Sequence, residues 1–210
     1  CGLLHGRAMA ILLGKTKSGI TDANLIEFTT AYKKQPEILF SEFNCTDDLQ
    51  TSTLAYLVIL NKKDVVQFAI SLGYPLNKTC ANGCTLLHYA AIWDRDELIK
   101  HFYFANVDLY MRNKRGETAL DLAVKYEQPK AQYMLEWAEC RQEFLTLLKE
   151  TRKLFASADK QRFTKEERKI NEAVCTEAEK WLEKKRDVTL SALKTKKYQV
   201  ELIVEPLFHT

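Results

Sequence analysis

Gly83-Cys84-Thr85-Leu86-Leu87-His88-Tyr89-Ala90-Ala91 recurs 33 residues further on as Gly116-Glu117-Thr118-Ala119-Leu120-Asp121-Leu122-Ala123-Val124. Gly, Thr, Leu and Ala fall at identical offsets in the two copies. A unit of this length cannot bury its apolar face alone and has to stack on neighbours. The repeat therefore builds a surface, and nothing in it makes a reaction.

Reading back from Gly83, a further unit is placed at a spacing of 32. Thr53-Leu54-Ala55-Tyr56 takes the place of Thr85-Leu86-Leu87-His88, and Asp64 the place of Asp96. Its second helix, through Val65, Val66, Phe68 and Ile70, ends at the stop signal Leu72-Gly73. Tyr74-Pro75-Leu76-Asn77 then opens a hairpin finger. Earlier still, Asp22 caps a helix through Leu25, Ile26, Phe28 and Tyr32, and Pro36 opens another through Ile38, Leu39 and Phe43. The expectation is an all-α solenoid of about four helix pairs over residues 21–140, the first degenerate, after an N-terminal extension at 1–20. An irregular first unit suits the cap of a stack.

The pattern of the quoted stretches resembles the ankyrin repeat, Gly-x-Thr-Pro-Leu-His-x-Ala-Ala. Gly83 and Gly116 take the positive-φ place in the finger, and Thr85 and Thr118 cap the helix that follows. Leu86 and Ala119 replace the family's Pro, and Asp121 replaces its His. Asp94 stands where the family has a Gly, and Asp tolerates the left-handed region better than most residues. The resemblance implies hairpin fingers and a protein-binding concave face.

The last repeat continues past its expected end. Tyr133, Trp137, Cys140, Phe144, Leu147, Leu148, Thr151, Leu154 and Phe155 follow helical spacing without Gly or Pro. Residues 141–157 form an extended helix reaching roughly 18 Å or more beyond the repeat. Its stripe from Phe144 to Phe155 must pack on something. Residues 158–162 read as a linker and 163–210 as a helical tail. The tail opens on a capping box, Thr164 with Glu167, after Phe163. One helix carries Ile170, Val174, Cys175, Ala178, Trp181 and Leu182, and a second carries Leu190, Leu193, Lys197, Val200, Ile203 and Val204 to Pro206. A short polar break between them predicts an antiparallel hairpin. Glu166-Glu167-Arg168, Trp181-Leu182-Glu183 and the run Val200–Leu207 resemble the distal helical lid of the 70-kDa heat-shock chaperones. That likeness implies a helical bundle and no ATPase or peptide-clamping activity.

The chain has 210 residues, a charged fraction of 28% and a net charge of +3, a balance that demands neither nucleic acid nor membrane. The apolar run Ala8–Leu13 is far too short to span a bilayer. Six scattered cysteines form no framework, which fits reduced thiols in a cytoplasmic compartment. A start at Cys1 points to a part of something longer.

Reactive chemistry is sparse. Gly14-Lys15-Thr16 invites a phosphate loop, but Met9 stands where the loop needs its first Gly. Cys80, Cys84 and His88 lack the fourth ligand of a zinc site. His5, His88, His101 and His209 form no nucleophile pair in the sequence. The expectation is a chain without catalysis, metal or cofactor.

Binding residues follow from the register. Trp93 falls at the end of an inner helix, with Tyr126 equivalent in the next repeat and Asn61 in the one before. Trp and Tyr are favoured interface anchors. Tyr110, Arg112 and Arg115 of the finger fall on the same concave side. In the tail, Trp181, Lys184, Lys185, Arg186, Lys194, Lys196 and Lys197 form a basic contact face without the interleaved aromatics of a nucleic-acid site. Three readings of function stand together: a scaffold whose concave face and tail engage separate proteins; a built-in part of a cytoskeletal assembly, ciliary, axonemal or of cell division; and an accessory to heat-shock chaperones.

Overall fold

The computed structural model describes residues 52–157 and 163–204, which form eight α-helices. They are α1 Thr53–Ile59, α2 Lys63–Ser71, α3 Leu86–Ile92, α4 Asp96–Phe104, α5 Ala119–Lys125, α6 Pro129–Ser157, α7 Lys165–Lys184 and α8 Leu190–Val204. The expected all-α ankyrin solenoid is what forms. The extension at 1–20 with Gly14-Lys15-Thr16, the degenerate unit from Asp22 to Phe43, the linker at 158–162, and the tail end from residue 205 lie outside the described residues. The chain divides into two compact units, Cys1–Leu135 and Glu136–Thr210, with α6 beginning in one and ending in the other.

In the first unit α1, α3 and α5 pack side by side, with α2 paired to α1 and α4 to α3. Each of these three inner helices opens on a hydroxyl N-cap: Ser52, Thr85 and Thr118, spaced by 33. Ser52 Oγ accepts from Ala55 N–H at 3.2 Å. Thr118 Oγ1 accepts from Asp121 N–H at 3.2 Å while the Asp121 carboxylate accepts from Thr118 N–H at 2.8 Å. At Thr85 the return arm is His88, whose Nδ1 accepts the Thr85 N–H at 3.1 Å. Asp121 thus replaces a histidine as the capping acceptor, because a carboxylate supplies the same acceptor.

This geometry corrects the register of the first described repeat. Its cap is Ser52, not Thr53, so the spacing is 33 rather than 32, and Leu60, not Asn61, corresponds to Trp93 and Tyr126. Two adjacent hydroxyl residues offered two caps, and the Thr-Leu match favoured the wrong one.

Each inner helix ends in a left-handed residue: Asn61, Asp94 and Glu127, with φ between 54° and 56°. In each case the following N–H reaches back to the helix, as Arg95 N to Ala90 O at 2.8 Å and Gln128 N to Ala123 O at 2.9 Å. The outer helices end likewise on Gly73 and Asn106. Glu127 has little preference for this region, so the stack imposes the conformation. Gly83 is constrained twice: its φ is +75°, and a Cβ there would stand 2.8 Å from Lys114 N in the next finger.

The repeats are tied by specific bonds as well as by the core of Leu54, Leu57, Val58, Leu87, Leu98, Ile99 and Phe102. Lys114 N–H donates to Asn82 O at 3.0 Å, joining finger to finger. Arg95 donates through Nε and Nη2 to Ile59 O at 3.1 and 2.6 Å. Asp94 Oδ1 accepts the Ala131 N–H at 2.7 Å, capping the start of α6. Leu87 and Leu120 differ despite equivalent positions: Leu87 is fully buried and Leu120 half-buried, while Val124 is exposed where Ala91 is buried. Among the described residues no further inner helix follows α5, so that face of it stays uncovered.

The second unit is a bundle of the later part of α6 with α7 and α8. Thr164 and Glu167 close the expected capping box, Thr164 N–H donating to Glu167 Oε2 at 2.7 Å. Phe144, Leu148 and Thr151 of the stripe are buried, as are Cys175, Ala178 and Leu182 of α7 and Leu193, Val200 and Val204 of α8. Trp137 Nε1 donates to Val188 O at 2.8 Å, and Arg141 donates to Leu182 O at 2.5 Å and Lys185 O at 3.3 Å. The Phe155 and Phe163 rings sit 4.5 Å apart, and Arg168 donates to Phe155 O at 2.7 Å. The stripe is therefore taken up by the chain's own tail.

Candidate partner-binding surface

Three side chains 33 residues apart stand at the ends of the inner helices: Leu60, Trp93 and Tyr126, each the C-cap residue of its helix. They are 47%, 49% and 46% exposed, whereas Leu54, Leu57, Val58, Leu87, Ala90 and Leu122 of the same helices are buried. The cap explains this. The left-handed residue that follows turns the chain away toward the outer helix, leaving the preceding side chain outside the packed layer. The result is a row of apolar side chains, one per repeat, with Trp93 in the middle. Lys125 lies over the Tyr126 ring at 5.9 Å and is itself held by Glu117 at 2.5 Å.

The finger residues form a second group. Tyr110 is exposed, its N–H turned back to Asp108 Oδ1 at 2.9 Å. Arg112 is exposed but engaged, donating to Gly116 O at 2.5 Å and standing 3.8 Å from Asp121. Arg115 is exposed at the finger tip, where its N–H donates to Asn113 Oδ1 at 2.8 Å. The Trp93 row lies at the C-terminal ends of the inner helices and the fingers lead into their N-terminal ends. A seven-residue helix rises about 10 Å, and at α5 the Lys125–Glu117 pair bridges that span, Glu117 belonging to the finger and Lys125 lying over Tyr126.

His88 is structural. Its Nδ1 faces Thr85 and its Nε2 faces Glu117 O of the next repeat at 3.2 Å. Burial pushes its pKa down, against a smaller opposing pull from the Glu117 carbonyl. The imidazole is the neutral link between two repeats, and no site forms around it. Among the described residues no cluster of three or more His, Cys, Asp or Glu could hold a metal ion. Nor is any described helix long and apolar enough to cross a membrane.

In the tail, Trp181 is half-buried with Lys185 over its ring at 5.9 Å, and Lys184, Lys185, Arg186 and Lys194 are exposed. Lys196 and Lys197 do not belong to a free basic face. Lys196 pairs with Glu177 at 3.1 Å, and Lys197 with Glu143 at 2.6 Å and Glu201 at 3.5 Å. Burial would depress the Lys197 pKa, but the Glu143 and Glu201 carboxylates outweigh it and raise it. These two lysines fasten α8 to α7 and α6. Sequence reasoning missed Leu60, which a constant 33-residue register would have found, and Val124, exposed on α5 where the equivalent Ala91 of α3 is buried.

A family model described as ankyrin repeats, in three copies, matches residues 54–144. The chain is 28% identical over 129 residues to Ankyrin repeat domain-containing protein 45 of Danio rerio, covering 60% of this chain and 58% of the relative. It is 32% identical over 168 residues to Ankyrin repeat domain-containing protein 45 of Homo sapiens, covering 77% of this chain and 62% of the relative. The chain thus spans less than two thirds of the length of either relative. The stacked helix pairs, their caps and these matches together make residues 54–144 ankyrin repeats, in a chain similar to ankyrin repeat domain-containing protein 45.

Proposed function

We propose that the chain is a non-catalytic scaffold that holds one protein through its repeats and a second through its tail. The observation that carries this is the exposed row Leu60, Trp93 and Tyr126, repeated once per unit with Trp93 at its centre. Aromatic anchors at the middle of a patch contribute most of the energy of a typical interface. Tyr110, Arg112 and Arg115 on the fingers supply the polar rim. The exposed cations Lys184, Lys185, Arg186 and Lys194, with Trp181, form the second contact. The scattered cysteines fit a cytoplasmic setting.

Support for a built-in cytoskeletal part is weaker, because the apolar stripe and two of the tail's basic residues are used within the chain. The Phe144–Phe155 stripe is covered by the bundle, and Lys196 and Lys197 are ion-paired. The test is proximity labelling from native tissue, followed by capture of the enriched proteins with wild-type chain, Trp93→Ala, and a Lys184→Glu/Lys185→Glu/Arg186→Glu variant. The scaffold reading expects each variant to lose a different protein. Loss of the same protein from both variants would overturn the two-site reading, and a heat-shock chaperone lost only with the tail variant would identify the second partner.

A further inference from the structure

The finger between α2 and α3 carries two cysteines, Cys80 and Cys84, that the binding surface does not use. Cys80 N–H donates to Cys84 O at 2.9 Å, and Gly83 N–H returns to Cys80 O at 2.9 Å, so the two cysteines face each other across the hairpin. Both are half-exposed, whereas Cys140 and Cys175 are buried. The Tyr89 hydroxyl donates to Cys80 Sγ at 3.3 Å.

The next finger gives an independent reading of the same positions. Asn113 and Glu117 lie 33 residues on and share the backbone bond, Asn113 N–H to Glu117 O at 2.9 Å. Their side chains also meet, Asn113 Nδ2 donating to Glu117 Oε2 at 2.9 Å. The side chains at these two hairpin positions are therefore within reach of each other in the next finger. Opposed residues of antiparallel backbone have Cα atoms about 4.5–5.5 Å apart, inside the window of about 4.4–6.8 Å that a disulfide requires.

We propose that Cys80 and Cys84 are a redox modification site, oxidised by a low-molecular-weight disulfide to an intramolecular bridge across the finger. In the first step the Cys80 sulfur, having given up its proton to solvent, attacks one sulfur of the small disulfide. That S–S bond breaks, and a small thiolate leaves and takes up a proton. Cys84 then loses its proton and attacks the Cys80 sulfur of the mixed disulfide, and a second small thiol departs. The protein loses two electrons and two protons, and the small disulfide is reduced to two thiols. Burial, with the neighbouring Cys80 adding to it, pushes the Cys84 thiol pKa above its ordinary range. The bridge would fix the finger whose Asn82 carbonyl holds the Lys114 N–H of the next.

The test treats the folded full chain with oxidised glutathione, quenches free thiols with an alkylating agent and maps the peptides by mass. The expected product carries residues 80–84 unalkylated and lighter by two hydrogens, reversibly on reduction, with Cys140 and Cys175 alkylated only after denaturation. In a Cys84→Ser chain of unchanged circular dichroism, Cys80 should retain a glutathione cap. Both thiols alkylated in the wild-type chain, stable glutathione adducts on either, or bridges from either to another cysteine would overturn the proposal.

Discussion

At the scale of the residue, position within the stack outweighs sequence identity. Leu87 and Leu120 occupy equivalent places, yet only Leu87 is enclosed on all sides. Leu87→Ala should cost about 2–5 kcal/mol, as for buried leucines generally, and Leu120→Ala clearly less in the same denaturant melts. Equal losses would place a covering element over α5. His88 gives the stack a pH dependence of defined sign. Its folded pKa lies below the ordinary 6.5 because of burial, so on acidification the unfolded chain takes the proton first. The contribution of His88 is complete above 6.5 and declines as the pH falls through 6.5 toward the folded pKa. Thermal melts between pH 7 and pH 5 should show a falling midpoint in the wild-type chain and a shallower fall in His88→Gln. A steeper fall in the variant would contradict the neutral assignment.

At the scale of the element, the caps set where each helix starts and how one repeat holds the next. Asp94 combines a left-handed backbone with a carboxylate that caps α6 through Ala131 N–H. Asp94→Asn keeps both features and should be nearly neutral, whereas Asp94→Ala loses the acceptor and strains the backbone. Chemical denaturation should show a loss of about 1–2 kcal/mol for the alanine variant. If alanine and asparagine behave alike, the cap is without energetic weight. The helix pairs were legible in the sequence because Gly, Thr, Leu and Ala recur at fixed offsets and each offset has a steric reason. The one-residue slip at Ser52 and Thr53 arose because hydroxyl chemistry does not distinguish neighbours, while backbone geometry does. That Asp121 replaces a histidine as the capping acceptor was legible only as a departure, and the structure supplies its reason.

At the scale of the molecule, periodicity showed that the Phe144–Phe155 stripe needs a covering surface but could not say which. The structure supplies it from α7 and α8, with Trp137 and Arg141 bonded to the carbonyls at their junction. Net charge likewise could not separate Lys196 and Lys197, which pair within the bundle, from Lys184 and Lys194, which remain exposed. The candidate surface was legible at Trp93 and Tyr126, since register placed them at the helix ends, and illegible at Leu60 until the register was corrected. The proposal that the row binds a partner rests on its side chains standing exposed at the helix ends, outside the packed layer. That claim is tested most directly by measuring, for the wild-type and Trp93→Ala chains, both the affinity for the captured partner and the thermal melt. A loss of at least tenfold in affinity, about 1.4 kcal/mol, with an unchanged melt is the expected result; unchanged affinity, or a melt that collapses with the substitution, would contradict it.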